Sequence, residues 1–466
     1  MKNKKKNKGK GLLLKSELFW DVASRKEQNE AEKLAEEYKG FLDKVRTEKQ
    51  AIRQCLDMAK KHGFVEADLD KDLPKGKSKL VFLNRGKSAV FVKLEAGRLT
   101  KGASFLLAHV DSPRLDLKVR PLYEDGEIAY FKPHYYGGIK KYHWPTTPLG
   151  LHGTVILKDG KEIEINIGSE EKDPVFLISD LLPHLDYERL EKPLGKAIEA
   201  EELNVIVGSK PIKDKEAKNR VKMAVLEYLK KNYKIGEEEL VTADLRFVPA
   251  FKARDVGFDR GLVASYGQDD RVCVFTTVKA FLAANNSVTN ILYLADKEEI
   301  GSLGATGAQS LFLENVLDCL MATVGKKYSL YDFYRHSKAI SADTTGAYDP
   351  DYKNAYDMNN LIKMGYGLAI EKHIGHRGKA LTMEAEPAFL REVINLFNKK
   401  KVLWQTGHLS KMDQGGGGSI AVYLSNRNME VVDAGVPLLN LHSPYELASK
   451  GDIYSAYKAY KVFLEN

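Results

Sequence analysis

The segment ILYLADKEEIGS, residues 291–302, places an apolar run directly before three carboxylates. Ile291–Ala295 has the composition of a buried strand, and Glu298 and Glu299 follow it side by side before Gly301 opens a loop. Two adjacent carboxylates at the end of a buried strand resist joint ionisation unless a cation or a shared proton relieves their repulsion. The segment therefore predicts a strand that leads into a cation site, whose other ligands must come from elsewhere in the chain.

Several other segments share this arrangement, in which an acidic or imidazole side chain follows a short apolar strand or lies in a loop before a helix. These side chains are His109 and Asp111 after Phe105–Ala108, Asp269 and Asp270 after Gly261–Ser265, Asp343 after Lys338–Ala342, and His442 within Asn440–Tyr445. Ligand sites in open α/β sheets collect beyond the carboxyl ends of the strands, so we expect these groups to meet at one edge of one sheet. Two histidines with several carboxylates and no thiolate suit Zn²⁺, Mn²⁺ or Co²⁺.

Each of these residues also has an ordinary explanation when it is taken alone. A structural histidine, a solvated pair of glutamates, a helix N-cap and a turn residue would account for them one by one. Their common position at strand ends favours a metal centre instead. A carboxylate that bridges two metal ions is typical of two-metal hydrolases, and a spare carboxylate beside the ions can take a proton from water.

The order of strands and helices predicts an α/β fold, a sheet with helices on both faces, interrupted by a β-rich insertion. We expect a basic disordered tail at 1–15, a catalytic domain at 16–118 and 251–466, and an inserted domain at 119–250. Thr47 and Gln50 predict the N-terminus of an early helix, and Gly86 predicts the turn of a hairpin. Further strands are predicted at Gly261–Ser265, Thr289–Ala295, Lys338–Ala342, Lys401–Trp404 and Glu430–Val432, and helices at Arg271–Ala284, Ala308–Met321, Ala388–Phe397 and Glu446–Leu464.

The composition is that of a soluble globular protein, with 43% hydrophobic and 29% charged residues. The net charge of +8 owes much to the lysines of Met1–Lys15, so the body of the chain is nearly balanced and nucleic-acid binding is not expected. No apolar run is long enough for a membrane span. The three cysteines, Cys55, Cys273 and Cys319, are far apart in apolar surroundings, which predicts reduced thiols and a cytoplasmic protein.

Six motifs together resemble the aspartyl aminopeptidase/aminopeptidase I family of cocatalytic-metal exopeptidases, and in particular its bacterial aminopeptidase-I-like branch. They are LLAHVDSPRLDLK (Leu106–Lys118), YGQDDRV (Tyr266–Val272), DKEEIGS (Asp296–Ser302), SADTTGAYDP (Ser341–Pro350), KMDQGGGG (Lys411–Gly418) and LHSPYELASKGDIY (Leu441–Tyr454). They come in the family's order and span nearly the whole chain. The resemblance implies a zinc-exopeptidase-like catalytic domain with a mixed sheet, an inserted dimerisation domain, and a homo-oligomer, a dodecamer built from dimers.

The resemblance also implies a role for individual residues. His109 and Asp343 would hold one of two divalent ions, Glu299 and His442 the other, and Asp269 would bridge them. Glu298 would be the general base, Asp111 would orient His109, His184 would reach the site of a partner subunit, and Lys372 would contact the substrate. The ions are expected to be zinc, with cobalt or manganese as alternatives, and the substrates peptides with a free N-terminus.

One departure from the family pattern concerns the substrate. Asp270 and the segment Thr344–Ala347 stand where the branch with acidic preference has asparagine and histidine, so neutral or apolar N-terminal residues become candidates. The ligand set by itself also fits a two-metal amidohydrolase or deacylase acting on N-acylated amino acids. The non-enzymatic alternative is a binding protein or shell protein with a basic tail.

Overall fold

A computed structural model describes residues 12–95, 99–285, 288–324, 329–375, 377–380 and 382–466. Most of the predicted basic tail, residues 1–11, lies outside these ranges. Within them, none of the helices combines the length and the apolar character that crossing a membrane requires.

The described residues form three sheets and the helices that pack on them. The strands are β1 Val65–Ala67, β2 Lys79–Asn84, β3 Ser88–Lys93, β4 Ala103–His109, β5 Arg114–Asp125, β6 Ile128–Tyr136, β7 Leu149–Ile156, β8 Glu162–Ile167, β9 Leu177–Ile178, β10 Val205–Gly208, β11 Ala243–Pro249, β12 Arg254–Val256, β13 Leu262–Ser265, β14 Thr289–Ala295, β15 Lys338–Ser341, β16 Thr345–Gly346, β17 Leu368–Glu371, β18 Trp404–Thr406, β19 Glu430–Gly435, β20 Pro437–Leu439 and β21 Glu446–Ser449. The helices are α1 Phe19–Val22, α2 Arg25–Leu42, α3 Glu48–Lys60, α4 Tyr187–Leu190, α5 Leu194–Ala197, α6 Arg220–Tyr233, α7 Glu237–Val241, α8 Gln268–Ala283, α9 Phe312–Met321, α10 Leu330–Arg335, α11 Pro387–Lys399, α12 Ala421–Ser425 and α13 Lys450–Leu464.

The largest sheet has nine strands in the order β1-β2-β3-β14-β4-β15-β19-β17-β18. Strands β14, β4, β15 and β19 run parallel to one another, whereas β3 and β17 are antiparallel to their neighbours β14 and β19. The residues of β14 are all buried, because apolar side chains cover both of its faces. The predicted mixed sheet and α/β class are confirmed, and the chain segments that carry Glu298, His109 and Asp343 leave the sheet at one edge.

A smaller sheet of five strands, β12-β13-β21-β20-β16, lies beside it and corrects two predictions. Strand β13, which precedes Asp269, belongs to this sheet, so the predicted groups do not all extend from one sheet. The predicted helix Glu446–Leu464 begins only at Lys450, because Glu446–Ser449 pairs with β13 on one side and β20 on the other. Tertiary pairing has overridden a helical pattern at these four residues.

The predicted strand Lys401–Trp404 is also displaced, to Trp404–Thr406. Residues 400–402 instead complete the end of α11, where the Val402 N–H donates to the Phe397 carbonyl. In contrast, Thr289–Ala295 forms a strand with the predicted bounds, and Thr47 caps α3 by accepting a hydrogen bond from the Gln50 N–H at 3.3 Å. The hairpin of β2 and β3 is likewise confirmed.

A third sheet, β8-β7-β11-β5-β6-β10-β9, is built from the segment between Arg114 and Pro249 and has its own cluster of buried apolar residues. Its first strand, β5, starts five residues before the predicted start of the insertion at residue 119. The domain boundaries and the role in dimerisation stay predictions.

A buried ion-pair network joins this third sheet to the first helices of the chain. Glu48, at the start of α3, binds Arg114 of β5 at 2.7 Å and also binds Arg246 of β11, and all three side chains are buried. Burial alone would raise the pKa of Glu48, but the two guanidinium groups outweigh it and hold the pKa well below its usual value. The charges are therefore paired where water cannot reach them.

We predict that Glu48→Gln lowers the free energy of unfolding by about 3–5 kcal/mol, because it leaves two buried guanidinium groups without their carboxylate. The folded-state pKa is depressed, so this stabilisation is present above the unfolded pKa near 4.5 and is lost as the pH falls below it. Urea denaturation of the variant should accordingly show a smaller decline in stability below that pH than the parent protein.

Glu66→Gln is the matched control, because Glu66 pairs with Lys60 at 2.5 Å on the surface and exposed pairs contribute little. An equal loss of stability in the two variants would contradict a special role for the buried network.

Candidate metal centre

The predicted ligands lie together beyond the carboxyl ends of neighbouring strands. His109 is the last residue of β4, Asp343 lies two residues beyond β15, and Glu298 and Glu299 form a single 3₁₀ turn three residues beyond β14. Asp269 comes from the other side, where residues 269 and 270 interrupt the helical backbone at the start of α8. The five-stranded sheet thus brings to the centre the predicted ligands that the nine-stranded sheet does not supply.

Asp269 lies between the two histidines and presents one oxygen to each. Its Oδ1 is 3.2 Å from His109 Nε2, and its Oδ2 is 3.1 Å from His442 Nε2. Asp343 Oδ1 is 3.6 Å from the same nitrogen of His109, and Glu299 Oε1 is 3.6 Å from the same nitrogen of His442. The arrangement is that of two ligand groups with one shared carboxylate.

The chemistry of these groups fits two divalent ions. His109, Asp269, Asp270 and Asp343 offer ligand atoms within 4.8 Å of one another, and so do Asp269, Glu299 and His442. Asp269 Oδ1 and Glu299 Oε1 are buried and accept no hydrogen bond from the described residues. A buried carboxylate oxygen without a donor is unfavourable, whereas a zinc ion would satisfy it with the nitrogen and oxygen ligands that zinc prefers.

The electrostatics of the centre also indicate a site for cations. Burial raises the pKa of Glu298 to about 8, and the neighbouring carboxylates of Asp343 and Asp111 add to this effect. Burial and the charge of Asp269 likewise raise the pKa of Glu299. Burial alone would lower the pKa of His442, but Asp269 and Glu299 raise it to about 11. Negative charge is in excess here, so a cation would stabilise the centre.

Asp111 holds the turn that carries the two glutamates. Its Oδ1 accepts a hydrogen bond from the Glu298 N–H at 3.1 Å, and its Oδ2 accepts one from the Glu299 N–H at 3.2 Å and one from the Tyr136 hydroxyl at 2.8 Å. The Nδ1 atom of His109 lies 3.1 Å from the carbonyl of Asp111 and 3.3 Å from its Oδ1. One fully buried side chain therefore contacts both the histidine and the glutamate turn.

Comparison with known proteins identifies the family. A family model described as "Aminopeptidase I zinc metalloprotease (M18)" matches residues 41–464. A probable M18 family aminopeptidase 1 of Clostridium acetobutylicum is 42% identical over 463 residues, which cover 98% of this chain and 99% of the relative. This chain belongs to the M18 family. It is an aminopeptidase of the zinc metallopeptidase class, as the motifs predict.

Solved structures of M18 proteins share the whole fold. The crystal structure of an M18 aminopeptidase from Thermotoga maritima matches with a TM-score of 0.93 and 40% identity, over 97% of this chain and 100% of that one. The S. cerevisiae mApe1 dodecamer matches with a TM-score of 0.76 at 20% identity, over 94% of this chain and 97% of that one. The second likeness is one of fold alone.

The M18 centre opens into a cavity of about 1800 Å³. Its wall includes the glycine run 415–418 of the motif KMDQGGGG and the side chains of His109, Asp269, Glu298, Asp343 and His442. A cavity of this size is larger than a typical small-molecule pocket and has room for several residues of a peptide.

Two residues near the centre were missed by the sequence analysis or given no function there. Glu446, on β21, accepts the His442 N–H at 2.8 Å with Oε1 and the Asp269 N–H at 3.2 Å with Oε2. Asp270 Oδ2 accepts the His109 N–H at 3.1 Å. Glu446 could have been recognised as an acidic residue within the motif LHSPYELASKGDIY. It was instead assigned to the start of the predicted helix Glu446–Leu464.

The loop after β6 also contributes to the M18 centre. In this loop, the Gly138 carbonyl accepts a hydrogen bond from His442 Nδ1 at 2.8 Å. Gly137 has φ +75°, and a Cβ atom there would lie 3.1 Å from Glu299 Oε2. Glycine is thus suited to both the backbone conformation and the close approach.

Two predicted site residues lie apart from the cavity within this single chain. His184 is exposed on the 3₁₀ turn Pro183–Leu185 of the third sheet's segment. Lys372 forms an ion pair with Glu384 at 3.1 Å, and its side chain is not part of the described cavity wall. Its neighbour Glu371 lies on that wall instead.

We predict that Glu446→Gln weakens metal affinity by about 10–100-fold, because an amide N–H would face one of the two backbone donors that position Asp269 and His442. Dialysis against graded concentrations of a chelator, followed by elemental analysis, measures the effect.

Asp452→Asn is the matched control. Asp452 is also a buried carboxylate that accepts two backbone N–H groups, those of Gly365 and Gly367 at 2.6 and 2.7 Å, but it belongs to neither ligand group. The control should lose stability and keep its metal affinity. Equal metal affinity in Glu446→Gln and the parent protein would contradict the positioning role.

Proposed function

We propose that this M18 aminopeptidase cleaves the first peptide bond of peptides at a centre that holds two divalent ions. His109 and Asp343 bind one ion, Glu299 and His442 bind the other, and Asp269 bridges them. The position of Asp269, with one oxygen directed at each histidine, carries this proposal. Zinc is the expected metal, with cobalt or manganese as alternatives that the same ligands accommodate.

Glu298 performs the proton transfers in the proposed mechanism. When bound, the ions polarise the scissile carbonyl and lower the pKa of the attacking water. Glu298 lies on the cavity wall and belongs to neither ligand group of the described residues, so its carboxylate is free to take the proton of that water. It then passes the proton to the leaving amine, and Asp111 keeps it in place through the Glu298 N–H.

We predict that Glu298→Gln retains about two metal ions per chain and loses nearly all turnover, because the amide cannot accept the proton. Elemental analysis and the hydrolysis of aminoacyl-p-nitroanilides measure the two properties on the same sample.

Asp269→Asn is the matched acid-to-amide control, and it should lose both metal and turnover because it weakens the shared ligand. A Glu298→Gln variant with normal turnover would overturn the assignment of the base.

N-acyl amino acids offered to the parent protein test the deacylase alternative, and we expect no hydrolysis because the family acts on free N-termini.

We further propose that the chain acts as a homo-oligomer in the cytoplasm. The segment around His184 exposes many large apolar side chains, which is typical of an interface. They are Val175, Leu177, Leu181, Leu182, Leu185, Tyr187, Leu190 and Leu194. A dimer across this surface would carry His184 to the partner's cavity, and dimers would assemble further, as in the related yeast dodecamer.

The cysteines are free thiols, which suits a reducing compartment.

We predict that His184→Ala and Glu298→Gln chains, each nearly inactive alone, regain activity when they are dissociated and reassembled together. A mixed dimer contains one site with both Glu298 and the His184 of the other chain, so equal mixing should restore about a quarter of the parent turnover. Assays before and after reassembly measure it, with sedimentation to verify the dimers. Mixtures that stay inactive would contradict a histidine supplied by the other chain.

A further inference from the structure

Two buried carboxylates on the cavity wall, in addition to Glu298, lie outside both ligand groups of the proposed centre. Glu371 is the last residue of β17, and Asp433 lies opposite it in the antiparallel neighbour β19. Opposed residues of an antiparallel pair project from the same face of the sheet, so the two side chains are neighbours. They are 6% and 4% exposed, and both line the cavity.

In the part of the chain that the structure describes, no basic side chain pairs with either carboxylate. Asp433 Oδ1 accepts a hydrogen bond from the Ser419 hydroxyl at 2.7 Å, but Asp433 Oδ2 and Glu371 Oε1 accept none from the described residues. Lys372 follows Glu371 directly in the chain, yet its ammonium group binds Glu384. Both residues line the cavity, so a cation that arrives with a ligand can supply the counter-charge that the two acids lack.

A cation is the partner that two neighbouring acids would bind. The residues around Glu371 and Asp433 favour an organic cation over a third metal ion. Among the described residues, the groups whose ligand atoms lie close enough for a metal include neither Glu371 nor Asp433. We propose that Glu371 and Asp433 form a subsite for the ammonium or guanidinium group at the end of the side chain of the substrate's N-terminal residue.

The order of strands favours binding of a side-chain cation, rather than the substrate's α-amine, to Glu371 and Asp433. Glu371 is on β17, two places away from β15 in the sheet, which corresponds to about 10 Å, and Asp433 is on β19 between these two strands. The α-amine is attached to the carbon beside the scissile carbonyl, which must lie near the ligands that follow β15 and β14. Lysine and arginine carry their charge at the end of a long flexible stem, so they can span this separation.

The same wall would repel an acidic N-terminal residue. A carboxylate placed against Glu371 and Asp433 would meet two buried acids, and any negative charge that this pair carries would repel it. The subsite thus gives a physical reason for this chain to differ from the acidic-preferring branch of the family.

The proposal rests on the aminopeptidase activity, and the first experiment tests the subsite and the activity independently. The parent protein is assayed with lysyl-, arginyl- and norleucyl-p-nitroanilides, of which the last is a neutral analogue of lysine. Turnover of the norleucyl substrate reports the aminopeptidase activity, and the ratio of kcat/KM values reports the subsite. We expect a preference of about tenfold or more for the cationic substrates. Equal kcat/KM values for lysyl and norleucyl substrates would overturn the subsite and leave the activity intact.

The second experiment compares variants of the wall. Glu371→Gln and Asp433→Asn should lower kcat/KM for lysyl and arginyl substrates by about tenfold, because the cation loses a charged partner, while the norleucyl value and the metal content stay the same. Asp413→Asn, which removes an exposed carboxylate from the same cavity, is the matched control and should keep the parent's preference. Parallel losses on all three substrates would overturn the proposal and indicate a role in binding the α-amine or in structure.

Discussion

The accumulation of negative charge at the edge of the nine-stranded sheet is the constraint on which the rest of the centre depends. Two unit charges 4 Å apart repel by about 4 kcal/mol at the effective dielectric of a protein surface, whereas a hydrogen bond contributes about 1 kcal/mol net. Hydrogen bonds alone therefore cannot offset the repulsion among Asp269, Glu298, Glu299 and Asp343. Two histidines together with bound divalent ions would do so, which is consistent with the position of an imidazole group on each side of Asp269.

The fold meets this constraint by bringing two sheets together. The parallel strands of the large sheet bring His109, Glu299 and Asp343 to one edge, and the small sheet brings Asp269 and His442 towards them. Glu446 joins the last two through their backbone N–H groups, so a single side chain fixes the spacing of both. The third sheet adds the Tyr136 hydroxyl and the Gly138 carbonyl. The centre is thus assembled from all three sheets.

The strands that position the predicted ligands can be recognised in the sequence because they are short and apolar. The bounds of Thr289–Ala295 follow directly from its run of buried side chains, and the Thr47 cap follows from local hydrogen bonding. Glu446 could not be recognised in the same way. Its partners are the N–H groups of residues 4 and 177 positions away, and the periodicity around it is that of a helix. Glu371 and Asp433 likewise became neighbours only through the pairing of β17 with β19. Local pattern predicts elements, but non-local pairing decides which polar groups meet.

The position of β14 between β3 and β4 has a consequence for the order of events during synthesis. Strands β3 and β4 leave the ribosome early, but the strand that joins them follows only after the whole third sheet has been made. At typical translation rates, this interval of about 180 residues, from His109 to Thr289, lasts about 9–36 seconds. During it, two apolar strands have no partner between them, while the intervening segment can already fold around its own core. The nascent chain therefore contains unpaired apolar strands, which favour aggregation, before its catalytic half is complete.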